Sequence, residues 1–135
     1  MIPIKTIMTK KVITVNPELL IYEALNVFKI HEVSGLPVVD TAGFIVGILS
    51  EKDVLKLLLN QKVKVNDTVS NYMTREIISF SEDDDAIDIC KFFIKSHIRR
   101  VPILKGKKLV GVVSRRDIVL LILEAKNKMS SFRYV

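Results

Sequence analysis

Apolar positions along this 135-residue chain change their period several times, and they do so in the same order twice. Residues 11–15 are rich in β-branched side chains and are stopped by Asn16-Pro17, which predicts a strand. From 18 to 31 the apolar residues Leu19, Leu20, Ala24, Leu25, Val27 and Phe28 fall at helical spacing. Residues 36–39 and 44–49 are short, nearly continuous apolar runs, as buried strands are, and Ala42-Gly43 between them suggests a hairpin turn. Val54, Leu55, Leu58 and Leu59 then mark one side of a helix over 51–59.

The second half repeats this succession. A strand is expected over 77–80, and Ser81-Glu82-Asp83-Asp84 supplies a helix start with acids in the first turn. A helix over 86–97, hairpin strands over 101–104 and 109–113, and a helix over 117–125 follow. Segments 4–8 and 68–73 read as matching short helical leads, and 60–67 as a polar linker. Residue identities repeat along with the pattern. Met8-Thr9 and Pro37 return 65 positions later as Met73-Thr74 and Pro102. Gly47, Ser50 and Asp53 return 64 positions later as Gly111, Ser114 and Asp117. The lost residue falls in the hairpin turn, where a duplication tolerates a length change. The expected fold is therefore α+β: two β-α-β-β-α repeats packed through their sheets with pseudo-twofold symmetry, since each sheet has an apolar face too large to leave exposed. The expected domains are repeat one in 1–65, repeat two in 66–125 and a basic C-terminal tail in 126–135.

Composition narrows the class. The hydrophobic fraction is 49% with no Trp, so the core must be mostly Ile, Leu and Val. No apolar run reaches the ~18–20 residues that span a bilayer. The N-terminus lacks a signal peptide's basic and apolar segments, so the cytoplasm is the default location. Cys90 is the single cysteine; it lies at helical spacing among apolar residues and reads as a small buried hydrophobe. The net charge of +6 permits weak attraction to polyanions, but the signs are mixed and no basic stripe is interleaved with aromatics. Nucleic-acid binding is therefore the lesser reading of this charge.

Chemistry concentrates at one place in each repeat, where Ser50-x-x-Asp53 and Ser114-x-x-Asp117 fix a hydroxyl and a carboxylate at a strand-to-helix corner. An acid in a first helical turn also complements the helix dipole, a role worth about 0.3–1 kcal/mol. Elsewhere nothing catalytic stands out: no His or Cys accompanies a hydroxyl nucleophile, and no phosphate-binding Gly-x-x-x-x-Gly-Lys is present. His31 and His97 lack partners at metal-ligand spacing, and Asp83-Asp84-Asp85 belongs to a helix start. No catalytic residue, metal site or required cofactor is expected.

With Met-Thr, Pro-Val-Val-Asp and Gly-hydrophobic-x-Ser-x-x-Asp in order twice, the chain resembles a tandem pair of CBS domains, the Bateman module, over about residues 2–125. The resemblance implies a stand-alone regulatory module that binds AMP, ADP, ATP or an S-adenosylmethionine-type ligand in clefts between the repeats. It assigns Asp53 and Asp117 to the ribose hydroxyls and Ser50 and Ser114 to ribose or phosphate. A carboxylate accepting two hydrogen bonds from a cis-diol is chemically apt for this. Arg99 and Arg100 match positions that recognise phosphate in the family, whereas Ser34-Gly35 stand there in repeat one, so the two clefts should differ. The adenine walls it implies are Ile13, Ala24 and Val33 in repeat one and Ile78, Ile89 and Ile98 in repeat two. One cleft would combine Ser114 and Asp117 with Ala24 and Val33, the other Ser50 and Asp53 with Ile89 and Ile98. A homodimer, and a partner enzyme or transporter, are also implied. The alternative is a ligand-free interaction scaffold or a weak nucleic-acid binder that uses the basic second half and tail.

Overall fold

The structure, a computed structural model, describes the backbone of residues 1–133 and the side chains through residue 128. In repeat one, helix α1 (Ile21–His31) turns Ile21 and Ala24 fully inward and ends at Glu32, which adopts the left-handed conformation at φ 52° and ψ 43°. Strands β1 (Gly35–Val39) and β2 (Ile45–Ser50) pair antiparallel, with Pro37 opposite Ile48 and a register irregularity between Val38 and Val39. Their turn is held by the Asp40 carboxylate, which accepts the Ala42 and Phe44 N–H groups at 3.0 Å each. Gly43 takes the φ of 85° that the turn requires. Helix α2 (Glu51–Leu59) follows β2 directly, and the single-turn helix α3 (Val69–Tyr72) is the lead of repeat two. Repeat two runs β3 (Phe80–Ser81), α4 (Ala86–Lys95), β4 (Arg100–Lys105), β5 (Lys108–Ser114) and α5 (Arg115–Arg133).

The first strand of each repeat is much shorter than its β-branched run suggests. In repeat one it contracts to a single parallel bridge, with the Val15 N–H donating to the Pro37 carbonyl at 3.1 Å and the Val39 N–H to the Val15 carbonyl at 2.9 Å. The preceding rung would need an N–H on Pro37, and proline has none. Pro102 stands at the same place before the pairing of β3 with Ile103 and Leu104, which is likewise only two residues long. The prolines that mark the repeats therefore also cap their parallel ladders.

Helix ends differ from expectation as well. Helix α4 stops at Lys95 because Ser96 turns its hydroxyl to accept the Ile98 N–H at 3.0 Å. Helix α5 begins two residues earlier than the spacing suggests and continues to Arg133, absorbing most of the expected tail. Neither Gly nor Pro interrupts the sequence after Gly111, and Glu124 and Lys128 form an i,i+4 ion pair at 3.5 Å. Positions 134–135 of the expected tail lie outside the described residues.

The chain forms two compact units, and their limits are not those of the sequence repeats. One unit, built around Asp53, comprises Ile13–Ile77 with Lys107–Leu109. Its core is Val15, Ile21, Ala24, Leu36, Val38, Leu49, Val69 and Met73. The tip of the β4–β5 hairpin belongs here, since the Ile45 N–H reaches the Lys107 carbonyl at 3.2 Å. The other unit, built around Asp117, takes Met1–Val12, Ile78–Gly106 and the chain from Val110 onward. Its core is Ile4, Ile89, Phe93, Val101, Ile103, Val113 and Ile118.

The N-terminal lead of repeat one is thus built into the unit formed by repeat two. A 3-10 turn (Ile4–Thr6) buries Ile4 completely, the Ile2 N–H donates to Asp85 Oδ1 at 3.1 Å, and Lys5 pairs with Asp83 at 3.0 Å. The N–H groups of Ile2 and Ile87 hold the Asp85 carboxyl below the usual carboxylate range. Its counterpart, the segment with α3, Met73 and Thr74, packs in the Asp53 unit.

Each lead meets a glycine. A Cβ on Gly47 would lie 2.6 Å from Met73 Sδ and 3.0 Å from the Thr74 carbonyl oxygen. On Gly111 it would lie 2.7 Å from Met8 Sδ and 3.0 Å from the Thr9 carbonyl. The glycines are required by this approach and not by φ, because both sit inside strands. Gly47→Ala should therefore lower the unfolding free energy in urea by about 1–3 kcal/mol, the usual penalty of overpacking. Adding Met73→Ala should cost less than the sum of the two single changes, because the displaced sulfur is gone.

Candidate functional site

The corner after β2 is a reciprocal cap. Ser50, extended at φ −96° and ψ 165°, is the N-cap of α2, and its Oγ accepts the Asp53 N–H at 3.2 Å. Asp53 reaches back, its Oδ2 accepting the Ser50 N–H at 2.9 Å and the Ser50 hydroxyl at 3.0 Å. A third donor comes from the lead: the Thr74 hydroxyl lies 3.2 Å from Oδ1 and 3.3 Å from Oδ2. Two backbone bonds hold Thr74 there, its N–H to the Ile48 carbonyl at 2.8 Å and the Ile48 N–H to its own carbonyl at 2.9 Å. Asp53 is the one buried charged residue of the described chain, with 7% of its surface exposed.

The corner after β5 is built the same way. Asp117 Oδ2 accepts the Ser114 N–H at 2.8 Å and the Ser114 hydroxyl at 3.1 Å, while the Asp117 N–H donates to Ser114 Oγ at 3.2 Å. The Thr9 hydroxyl approaches Oδ1 at 3.4 Å, and Thr9 and Val112 exchange backbone bonds at 2.9 Å each. Asp117 is only half-buried, so this carboxylate is the more accessible of the two. A carboxylate has about four lone-pair positions. At both corners Oδ2 holds the serine donors, while Oδ1 has only a threonine and retains capacity for another donor.

Each carboxylate thus caps its helix and keeps one oxygen partly free. Thr9 and Thr74 were not among the expected site residues. The available signal was the recurrence of Met-Thr at the same offset as Pro37 and Pro102.

The other expected residues are spread over both units. In the Asp53 unit, Ile13 and Val33 are half-buried against the core, and Val33 and Ser34 line an open groove of about 540 Å³ with Phe28, Glu51 and Val54. In the Asp117 unit, Ile78 is half-exposed and Ile98 half-buried. Ala24 and Ile89 have no exposed surface: they are helix positions turned wholly into the two cores, and they offer a ligand no surface in this structure.

Arg99 and Arg100 are exposed, and neither guanidinium has a hydrogen-bond partner among the described residues. Arg115 is different. Its Nη2 donates to the carbonyls of Phe93 at 2.9 Å and Ser96, its Nε donates to that of Ile98 at 3.3 Å, and its guanidinium lies 5.8 Å from the Phe93 ring centroid. It closes the C-terminus of α4, where helix carbonyls lack partners. At the matching position repeat one has Glu51, and its helix ends instead on the left-handed Glu32. Cys90 is half-buried beside an open groove of about 420 Å³ with His97 and Arg115. Among the described residues no three His, Cys, Asp or Glu side chains gather as a metal site, and no helix is long and apolar enough to cross a membrane.

Comparison with known proteins shows the family. The sequence profile of the CBS domain matches residues 4–60 and again 69–124. The chain belongs to the CBS domain family. An uncharacterized 17.7 kDa protein of Acidianus ambivalens is 33% identical to it over 90% of this chain and 73% of its own length. The CBS domain pair of protein MJ0100, solved with 5′-methylthioadenosine and S-adenosyl-L-methionine, is 30% identical, with a TM-score of 0.74 over 90% of this chain and 96% of that one. CBSX2, solved with AMP, shares the fold at a TM-score of 0.81 and 24% identity over 93% of this chain and 99% of that one. The chain spans 42%, 73% and 22% of the lengths of three curated relatives it matches. The fold and family are those of CBS regulatory modules, which also occur as part of larger enzymes such as inosine-5′-monophosphate dehydrogenase of Methanocaldococcus jannaschii.

Because the serines cap helices whatever else they do, Ser50→Ala and Ser114→Ala should each reduce thermal or urea stability by about 1 kcal/mol. The Asp53→Ala change should cost more than Asp117→Ala, since it strips acceptors from a more deeply buried corner.

Proposed function

We propose that this CBS pair is a regulatory module that binds an adenosyl ligand, gripping the ribose diol with Asp53 and Asp117 and signalling its occupancy to a partner enzyme or transporter. The observation that carries the reading is the duplicated Ser-x-x-Asp corner, whose Oδ1 keeps a free acceptor position. The MJ0100 CBS pair, a relative at 30% identity that was solved with two adenosyl compounds, supports the ligand class. In this reading Ser50 and Ser114 hold the carboxylates in place, their hydroxyl protons on Oδ2, and present their remaining lone pairs to the ribose hydroxyls. Ile13, Val33, Ile78 and Ile98, which keep exposed surface, supply adenine contacts, and the enclosed Ala24 and Ile89 back them. Asp117, the more open carboxylate, fills first.

Arg99 and Arg100 supply phosphate recognition. Their guanidiniums are uncommitted and have the planar fork that fits phosphate oxygens. Ser34-Gly35 cannot do this, so the molecule is asymmetric towards phosphorylated ligands. Isothermal titration with AMP, ADP, ATP, 5′-methylthioadenosine and S-adenosyl-L-methionine tests the proposal. Asp53→Ala with Asp117→Ala should abolish binding of every ligand. Arg99→Ala with Arg100→Ala should weaken AMP about tenfold or more, the scale of lost hydrogen bonds to a charged group. The same change should leave 5′-methylthioadenosine, which has no phosphate, within about twofold. Absence of binding at millimolar concentration, or binding indifferent to the aspartates, overturns the reading.

The homodimer that the family resemblance implies has support in a duplicated apolar stripe. Leu55, Leu58 and Leu59 on α2 are 69%, 92% and 84% exposed. Val119, Ile122 and Leu123, at the same positions of α5, are 60%, 62% and 51% exposed. Isolated exposed leucines are ordinary, but the same i, i+3, i+4 stripe in both repeats marks a contact surface. Light scattering should report a dimer, and Leu58→Glu with Ile122→Glu should shift it to monomer.

A further inference from the structure

The two threonines touch the ribose-binding carboxylates from outside the Ser-x-x-Asp motif. Thr74 and Thr9 each follow a methionine whose sulfur occupies the space beside a strand glycine, and each exchanges two backbone hydrogen bonds with the residue after that glycine. This places the hydroxyl within 3.2–3.3 Å of the Asp53 oxygens and 3.4 Å of Asp117 Oδ1. A hydroxyl has one proton and two lone pairs. With the proton directed at the carboxylate, threonine can offer a ligand only lone pairs. The serine hydroxyl has also spent its proton on Oδ2. The whole corner therefore presents acceptors and no free hydroxyl donor, a surface that suits two donating hydroxyls and disfavours a phosphate on the same sugar edge.

We propose that Thr74 and Thr9 are positioning residues of the diol site, orienting Oδ1 and setting its preference for a free 2′,3′-diol, so that ligand binding and docking of the Met-Thr leads are one coupled equilibrium. The inference rests on the ligand-binding reading above. The lead around Thr74 joins the two repeats and that around Thr9 is the N-terminal segment, so each filled corner tightens a different connecting stretch of the chain. Coupling runs in both directions, as linkage requires: a ligand that favours the docked lead is itself bound more weakly when the lead is loosened.

The test uses the full chain carrying Thr9→Val and Thr74→Val together, which keeps shape and removes only the hydroxyls, with Thr9→Ser and Thr74→Ser as the rescue. Titrations compare AMP with 2′-deoxyadenosine 5′-monophosphate, and amide hydrogen exchange follows Ile48, Thr74, Thr9 and Val112 with and without AMP. The valine chain should bind AMP more weakly by about tenfold or more, the scale of one hydrogen bond to a charged group. Its preference for AMP over the deoxy analogue should shrink by a similar factor, and AMP should no longer add protection at those amides. The serine chain should restore all three. A structural role alone would lower affinity without changing the ribose-to-deoxyribose ratio, and that result overturns the proposal, as does a valine chain indistinguishable from the original. If the unsubstituted chain binds neither AMP nor 5′-methylthioadenosine, the ligand-binding reading itself falls and this inference with it.

Discussion

Everything around the two corners depends on a close approach between a methionine and a glycine. Met73 lies where a side chain on Gly47 would be, and Met8 where one on Gly111 would be. That contact brings a lead segment near enough to a strand for the Thr74–Ile48 and Thr9–Val112 backbone pairs to form. Those pairs in turn set a threonine hydroxyl against the aspartate that caps the next helix. Glycine, methionine, threonine, serine and aspartate are thus one mechanical assembly in each unit. Methionine suits the task because its unbranched, polarizable side chain fills an irregular gap without strain.

The assembly also explains why sequence repeats and folded units part company. A lead that packed only on its own repeat would make two self-contained halves. Here the stretch through Val12 is built into the Asp117 unit, and the segment from Thr68 to Ile77 completes the Asp53 unit. Two halves of similar sequence are then free to diverge in chemistry while sharing a frame. Arg115 closes the end of α4 through three backbone carbonyls, whereas Glu51 at the matching position leaves α1 to end on Glu32. Arg99 and Arg100 likewise have Ser34 and Gly35 as counterparts, and Asp53 is enclosed where Asp117 is only half-buried. The duplication preserves the corner and varies what surrounds it.

Much of this was legible in the residues. Binary patterning located every helix and both hairpins, because periods of two and 3.6 leave different traces. The internal offset located the repeat, and the repeat located the corners. Less legible were the limits of elements governed by single atoms. A missing proline N–H shortens the first strands, a serine hydroxyl stops α4, and the lack of any breaker lets α5 run on. The wall residues came from the family resemblance, which does not tell a helix position with exposed surface from one inside the core. Ala24 and Ile89 proved to be the latter.

By itself, the sequence determined the local and repeated features: α+β architecture, two copies, a serine and an aspartate at each strand-to-helix corner, and an arginine pair in only one copy. These follow from neighbours in the chain, where propensity and spacing act directly. Only the tertiary structure decided which lead meets which corner, that the Met-Thr pair belongs to the aspartate's surroundings, and which apolar positions are enclosed in the cores. Those depend on contacts between residues far apart in the chain, 21 positions for Thr74 and Asp53 and 108 for Thr9 and Asp117. No local period encodes a pairing at that distance; it is selected where a methionine finds a glycine, once in each unit.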